Sequence, residues 1–321
     1  MNEEEIIRFF ETTAFSSPEV VKGVGDDCAV VNLGERWLLL TKDALVEGIH
    51  FSWSYFSAYF LGRKLAAVNL SDIAAMGGRP RFALLTLALP EAPERSFLED
   101  FFQGLSERLA SYGAILLGGD TVRQPSRALF DLALVGEAAP GAVVFREGAR
   151  PGDLLFVSRP LGASAAALEL LQSGQRPPEA WLKAHLDPEP EVELGLLLAE
   201  EGLAEALIDI SDGLLLDLAR LCRASKVGAE LEESSIPQAV TPLRGLSHTP
   251  LEYALSGGED FALLFAVRPE KERALQARLA AVKRQPYCIG RLLPQGEGLR
   301  LRRSDGQIEA LSPQGFDHFS E

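Results

Sequence analysis

Sulfur is scarce in this chain: three cysteines among 321 residues, Cys28, Cys222 and Cys288, far apart and with no CxxC pair. Such usage argues against a disulfide framework or a thiolate zinc site and fits a reducing compartment. No apolar run approaches the ~20 residues that span a bilayer. The acidic opening MNEEEIIRFF lacks the basic region and long apolar core of a signal peptide. The expectation is a cytoplasmic protein. Positive charge is also in short supply, with 31 Lys and Arg against 46 Asp and Glu and a net charge of −15. That weighs against unaided binding to nucleic acid or to an anionic membrane. The common nucleotide and hydrolase signatures are missing too: no GxxxxGK[ST], no HRD–DFG set, no GxGxxG and no GxSxG elbow.

What remains is ample material for cores, 47% hydrophobic residues, in a length that suits one large or two medium domains. Periodicity predicts helices over 4–12, 58–76, 94–111, 161–173, 190–201, 213–224 and 269–281. Strands are predicted at 28–33, 36–41, 81–89, 113–117, 129–138, 205–210, 227–232, 261–267 and 287–292. Gly148, Pro151 and Gly152 in REGARPGD punctuate the chain, and a fresh β-type run, LLFVS, follows. The boundary falls there, with domains at 1–147 and 148–321. Strands alternating with helices in both halves imply a two-domain α+β or α/β protein.

The chemistry is carried by aspartates in short, turn-like clusters: Asp26 and Asp27 in GVGDDCAVV, Asp43 in LLLTKDALVEGIHF, Asp120 in LLGGDTVR, and Asp209 and Asp212 in ALIDISDGLLLDL. Gly23 and Gly25 allow the sharp turn that brings Asp26 and Asp27 to the lip of the next strand. Thr41 and Asp43 share one side of an extended chain. In helix 58–76, Leu61, Leu65, Val68, Asp72 and Ala75 fall on one face, which puts Asp72 on the apolar stripe with Asn69 a turn earlier. A carboxylate there needs a cation or hydrogen bonds. In LLGGDTVR the glycines permit close approach of a phosphate, or form a plain hairpin turn. Ser211 reads as an N-cap before a helix whose buried stripe is Leu214, Leu215, Leu218 and Leu221. Free N–H groups at that helix start favour an anion, beside Asp209 and Asp212 that favour cations.

His50 reads either as a phosphate contact or as a satisfied core histidine. Glu259 and Asp260 in SGGEDFALLF read as a substrate-contacting turn or a tight connection. Arg146 is the best single cation for a nucleotide phosphate. Carboxylates gathered beside glycines are hard-oxygen ligands suited to Mg²⁺, and bound divalent cations would let so acidic a chain hold a polyanion. The reading is phosphoryl transfer.

The ordered segments GVGDDCAVV, TKDALVEGIHF, KLAAVNLSDIAAMGG, LTLALP, LLGGDTVR, REGARPGD, IDISDGLLLDL, ALSGGEDFALLF, CIGRL and GFDHF, from about residue 20 to 319, resemble the thiamine-monophosphate kinase family. Its wider superfamily includes aminoimidazole ribonucleotide synthetase. The resemblance implies an aminoimidazole ribonucleotide synthetase-like fold and a homodimer that pairs its N-terminal sheet domains. It implies ATP-dependent conversion of thiamine monophosphate to thiamine diphosphate with several Mg²⁺ ions. By position, Asp27, Thr41, Asp43, Asp72, Asp120, Asp209 and Asp212 match the family's metal ligands. Tyr112, Gly119, Asp120, Arg146 and Ser211 match its ATP contacts; His50, Glu259 and Phe316 match its contacts to thiamine phosphate. Lys42 departs from the pattern, standing where a small hydroxyl residue is common. The competing readings are a sister enzyme acting on a ribonucleotide or selenide, and a ligand-binding regulator without turnover.

Overall fold

The structure, a computed structural model, describes residues 3–13, 17–316 and 318, with Glu3 and Glu4 described in backbone alone. Of the terminal GFDHF, Asp317 and Phe319 lie outside the described residues. The first half carries α1 (Glu3–Thr13), β1 (Val20–Lys22), β2 (Ala29–Asn32), β3 (Trp37–Val46), α2 (Ala58–Ala75), β4 (Arg79–Leu89), α3 (Arg95–Ser111), β5 (Ile115–Arg123) and β6 (Leu129–Ala138). The second carries β7 (Leu154–Val157), α4 (Ala163–Gln172), α5 (Glu179–Leu186), α6 (Val192–Glu200), β8 (Ala206–Ile210), α7 (Leu214–Ser225), β9 (Val227–Glu232), α8 (Pro250–Ser256), β10 (Ala262–Val267), α9 (Glu272–Ala281), β11 (Tyr287–Pro294), β12 (Leu299–Arg302) and β13 (Ile308–Ala310).

Each half builds one sheet. The first has six strands in the order β1-β2-β3-β6-β4-β5, antiparallel except for the parallel pair β4 and β5 that α3 connects. The second has seven in the order β13-β12-β9-β11-β7-β10-β8, antiparallel except for β12 beside β9. Helix α2 lies between the halves. Its Leu61, Leu65, Leu70 and Ile73 share one core with Leu194 and Leu198 of α6, Leu207 of β8 and Phe265 of β10. Burial on nearly every side follows from a composition of Leu, Ala, Val and Ile with few charges. Close packing against α3 depends on glycine: a Cβ at Gly62 would meet the Phe101 carbonyl oxygen at 2.2 Å, and one at Gly104 the Tyr59 carbonyl oxygen at 2.0 Å.

The predicted stripe residues Leu61, Leu65, Val68 and Ala75, and Leu214, Leu215, Leu218 and Leu221, are all buried. The end of α2 does not fray at Gly77–Gly78. Ser57 caps its start, and Gly78 packs so tightly that a Cβ would come within 2.0 Å of Leu39 Cδ1. Three local expectations change. β3 continues past Thr41 to Val46, because β6 pairs with all ten of its residues. β5 runs straight through Gly118-Gly119-Asp120, so LLGGDTVR is neither a strand end nor a hairpin turn. A Cβ at Gly119 would sit 1.7 Å from the Leu85 carbonyl oxygen, which explains that glycine by strand packing. Five short elements, β1, α5, α8, β12 and β13, were not anticipated. For α8 the signal was present in TPLE, where Thr249 and Glu252 close a capping box with proline at the first helical position. Among the described residues no helix is long and apolar enough to cross a membrane.

Candidate active site

The two sheets and α2 enclose a cleft of about 870 Å³ whose lining includes Asp26, Asp27, Thr41, Lys42, Asp43, His50, Asp72, Arg146, Asp209, Ser211, Asp212, Glu259 and Phe316. Residues scattered over some 290 positions meet there because each sits where an element reaches the interdomain seam. Asp27 follows the turn that Gly25 makes at φ +107°; Gly23 needs no such angle. Asp72 is on the seam face of α2, and Asp209 is in β8. One carboxylate oxygen from each of Asp27, Asp72 and Asp209 lies within 4.8 Å of the other two.

This trio is crowded with negative charge. Burial pushes the Asp72 and Asp209 carboxyls well above their ordinary value; Asp43, Asp209 and Asp27 add to the rise at Asp72, and Asp27 at Asp209. Their protein partners are mostly hydroxyls. Thr41 donates to Asp72 Oδ2, and Ser71, unremarked in the sequence, donates to Asp209 Oδ2 at 2.6 Å. Arg146 is the nearby cation, and it grips Asp27 through Nη2 at 2.6 Å and Nε at 3.2 Å. Asp26 serves differently. Its carboxylate accepts from the Arg146 backbone N–H and lies 3.6 Å from Lys22 Nζ, anchoring the Arg146 segment rather than joining the trio. Hard oxygens, a charge surplus and partial burial fit a divalent cation of the Mg²⁺ class.

Asp43 stands open to the cleft, its backbone N–H donating to Asn69 Oδ1 at 3.1 Å. The surrounding protein, then Asp212 and Asp131, push its carboxyl up to about 6. Lys42 points to the opposite face of β3 and pairs with Asp131 at 3.2 Å. Asp212 is engaged by Arg220, whose Nη1 lies 2.6 Å from both Asp212 Oδ2 and Asp217 Oδ1. Neither Asp217 nor Arg220 was singled out from the sequence. Asp217 corrects an expectation: the N–H groups of Ser211, Asp212 and Gly213 are not free for an external anion, because all three donate to its Oδ2 at 3.1–3.2 Å. Nor is Ser211 the N-cap of α7; Gly213 holds that position without a side-chain cap. The signal was the i+4 spacing of Asp217 from Gly213, hidden within an apolar helix start.

The cleft is also lined by His50, Phe316 and Glu259. His50 Nδ1 accepts from the Val46 N–H at 3.0 Å, which leaves the neutral ring's proton on Nε2. Burial and His318 lower its pKa to about 4, so His50 is a neutral donor rather than a cation. Phe316 is exposed to the cleft and fixed by its backbone N–H on the Asp212 carbonyl at 3.1 Å. Glu259 takes a left-handed φ of +63° and contacts Lys64 and His185. Asp260 instead receives the Gly162 N–H at 2.8 Å through Oδ2, inside the second domain.

Three predicted residues lie outside the cleft of this chain. The Tyr112 hydroxyl donates to Glu189 and to the Pro190 carbonyl at the end of α3. Gly119 and Asp120 lie on the edge strand β5, where Asp120 is exposed and accepts from the Thr121 N–H at 2.8 Å.

Fold and cleft together define an AIR synthase related protein. The N-terminal domain of that family matches residues 25–138 and its C-terminal domain residues 150–301. Within this class, the thiamine-monophosphate kinase of Escherichia coli K12 is 38% identical over 322 aligned positions, covering 98% of this chain and 97% of the relative. The solved structure of AaThiL complexed with AMPPCP and TMP is 33% identical and covers 99% of this chain and 97% of its own, with a TM-score of 0.84. The thiamine-monophosphate kinase of Stenotrophomonas maltophilia K279a is 33% identical over 94% of this chain and 95% of its own, with a TM-score of 0.78. The chain belongs to the thiamine-monophosphate kinase family.

Proposed function

We propose that this protein transfers the γ-phosphoryl group of ATP to thiamine monophosphate, giving thiamine diphosphate and ADP, with Mg²⁺ held by the cleft aspartates. The observation that carries the metal-assisted part is the convergence of Asp27, Asp72 and Asp209 in a cleft also lined by His50, Glu259 and Phe316. The attacking group is a phosphate oxygen, already ionised near neutral pH, so no strong general base is needed. That His50, a cleft histidine, is held neutral suits such a direct in-line displacement. The obstacle is repulsion between two polyanions. Bound Mg²⁺ would screen and orient both.

The chain's own residues divide that work. Asp27, Asp72 and Asp209 form the central ligand set, with Thr41, Asp43 and Asp212 at its margin. Arg146 and Ser211 face the nucleotide; His50 donates through Nε2, and Phe316 offers a ring face to the thiamine end, a contact worth ~1 kcal/mol beyond its area. Arg146 now neutralises Asp27. On loading it is released toward a phosphate. Arg146→Ala should therefore raise KM for ATP about tenfold or more while KM for thiamine monophosphate changes little; an unchanged ATP dependence removes Arg146 from the site.

Tyr112, Gly119 and Asp120 are assigned to the site of a second subunit in a cytoplasmic homodimer. Supporting this, Leu40, Phe82, Leu84, Ile115, Leu117 and Val122 are exposed on the outer face and edge of the first sheet, a large apolar surface for a lone chain. The decisive test of that assignment is complementation. Coexpressed Asp72→Asn and Asp120→Asn chains, each inactive alone, should regain about a quarter of wild-type activity, since random pairing makes half the dimers mixed with one intact site each. No recovery would return Asp120 to its own chain's chemistry or to none. The activity itself is tested by ADP release and thiamine diphosphate formation, each omitted component abolishing both.

A further inference from the structure

The cleft holds two kinds of carboxylate with opposite electrostatics. The aspartate trio has one cation, Arg146 on Asp27, for three carboxylates. Glu259 has a cation built in: Lys64, on α2 and fully buried, places Nζ 2.7 Å from Glu259 Oε1. On the other side His185 of α5, also buried, brings Nδ1 to 3.3 Å from Oε2. Among the described residues His185 Nε2 is buried without a hydrogen-bond partner, as expected of a neutral ring whose proton sits on Nδ1, beside the carboxylate and the Ser164 hydroxyl at 3.1 Å. Burial and the Lys64 charge both keep that ring neutral. Burial alone would push the Glu259 carboxyl up, but Lys64 and His185 override it and hold the group well below the usual carboxylate range.

The backbone around Glu259 is equally constrained. Its N–H donates to the Ser211 carbonyl at 2.7 Å, and the Phe261 N–H donates to the Ile210 carbonyl at 2.8 Å. Glu259 and Phe261 both have positive φ, +63° and +47°, a conformation that L residues keep only when their surroundings dictate it. Lys64 itself is costly to bury. It sits 5.3 Å from the centre of the Phe56 ring, and its Nζ has no hydrogen-bond partner of good geometry. A mere core position on α2 would be filled by leucine or methionine at no such cost.

We propose that Lys64 and His185 are positioning residues that hold Glu259 as a permanently charged, fixed acceptor for the organic end of the phosphate acceptor, while Lys64 occupies the place a divalent cation would otherwise take. The inference rests on the assignment of Glu259 to the acceptor subsite. It separates the cleft into a metal-binding floor and a metal-free wall. Thiamine phosphates carry a fixed thiazolium charge and an aminopyrimidine donor, groups that an ionised carboxylate accepts and a metal-occupied one would not. Neither Lys64 nor His185 need touch the substrate.

The test uses wild type, Glu259→Gln, Lys64→Met and the double variant, with kcat, both KM values and melting temperature for each. Glu259→Gln should raise KM for thiamine monophosphate about tenfold or more, with KM for ATP within about twofold. Lys64→Met should do the same and also melt lower. The double variant should recover melting temperature, because the buried pair is neutral again, yet keep the raised KM of Glu259→Gln with no further loss. Should Lys64→Met fail to fold, the double variant against Glu259→Gln still decides. Recovery of KM together with stability, or additive losses in the double variant, overturns the positioning role alone. If Glu259→Gln binds thiamine monophosphate normally, the subsite assignment falls and the proposal with it; if wild type fails to turn it over, the functional reading falls as well.

Discussion

Asp72→Asn should cut kcat by about 10³-fold or more while leaving the fold intact. Asparagine keeps the shape of the side chain and an oxygen for the Thr41 hydroxyl, so the seam between α2 and β3 survives. It removes a charge that the metal-free protein holds at a disadvantage, since burial and three neighbouring aspartates already oppose ionisation of Asp72. In EDTA the variant should melt at or above the wild-type temperature. With Mg²⁺ the order reverses: wild type gains stability by mass action, about 2.7 kcal/mol at a hundred times Kd, and the variant gains less. Turnover within tenfold of wild type, or an equal Mg²⁺ response, would sink the trio as the metal floor.

The second large effect is a fall in stability with pH that metal flattens. Burial first pushes Asp26 and Asp217 up to about 6 and Asp260 to about 7, while Asp43, open to the cleft, is pushed to about 6 by the surrounding protein and by Asp212 and Asp131. Burial also raises Asp72 and Asp209 well above their ordinary value, and raises Asp153. The folded state thus holds protons that the unfolded chain releases near pH 4. Stability contributed by those protons is fully present below the unfolded value and is lost as pH rises through about 6. His50 and His185 act in the opposite sense, their folded values being lowered, but two imidazoles face seven carboxyls. Glu259 and eight other carboxyls, among them Asp187, Glu189 and Glu230, are lowered, so their contribution is present above the unfolded value and is lost in acid, mostly below this window. The metal-free protein should therefore lose melting temperature between about pH 4.5 and 7, by roughly 3–5 °C if the net loss is about 2–3 kcal/mol. Millimolar Mg²⁺ should flatten that fall, because its ligands must be deprotonated to bind. Melts in EDTA that climb from pH 5 to 7, with no Mg²⁺ response, would contradict a charge-starved floor.

Local chemistry made much of this protein legible in one dimension. The stripe of α2 is a spacing pattern, and a carboxylate within it needs a partner, which places Asp72 on the face that meets Thr41 and the cleft. ISDG between an apolar strand and an apolar helix marked Asp209 in the same way. Glycine was more ambiguous. At Gly25 it makes a turn to a ligand, whereas at Gly119 it makes room for the β4 backbone, and the letter is the same. A three-residue polar stretch in a strand also misled, because ladder pairing with β6 carries β3 through it.

By itself, then, the sequence determined the two α/β halves, the acidic hard-ligand character of the site, and the family, since ordered motifs and apolar periodicity are properties of the chain read along its length. Only the tertiary structure decided which aspartates meet. Asp27, Asp72 and Asp209 converge, Asp212 is taken by Arg220, Asp26 holds Arg146 in place, and Asp120 stays on an outer edge. It also decided that Lys64, 195 residues from Glu259 in the chain, is that carboxylate's counter-ion. The physical reason is that Coulomb energy and desolvation depend on distances and burial across the interdomain seam, and neither quantity exists until α2 is packed between the two sheets.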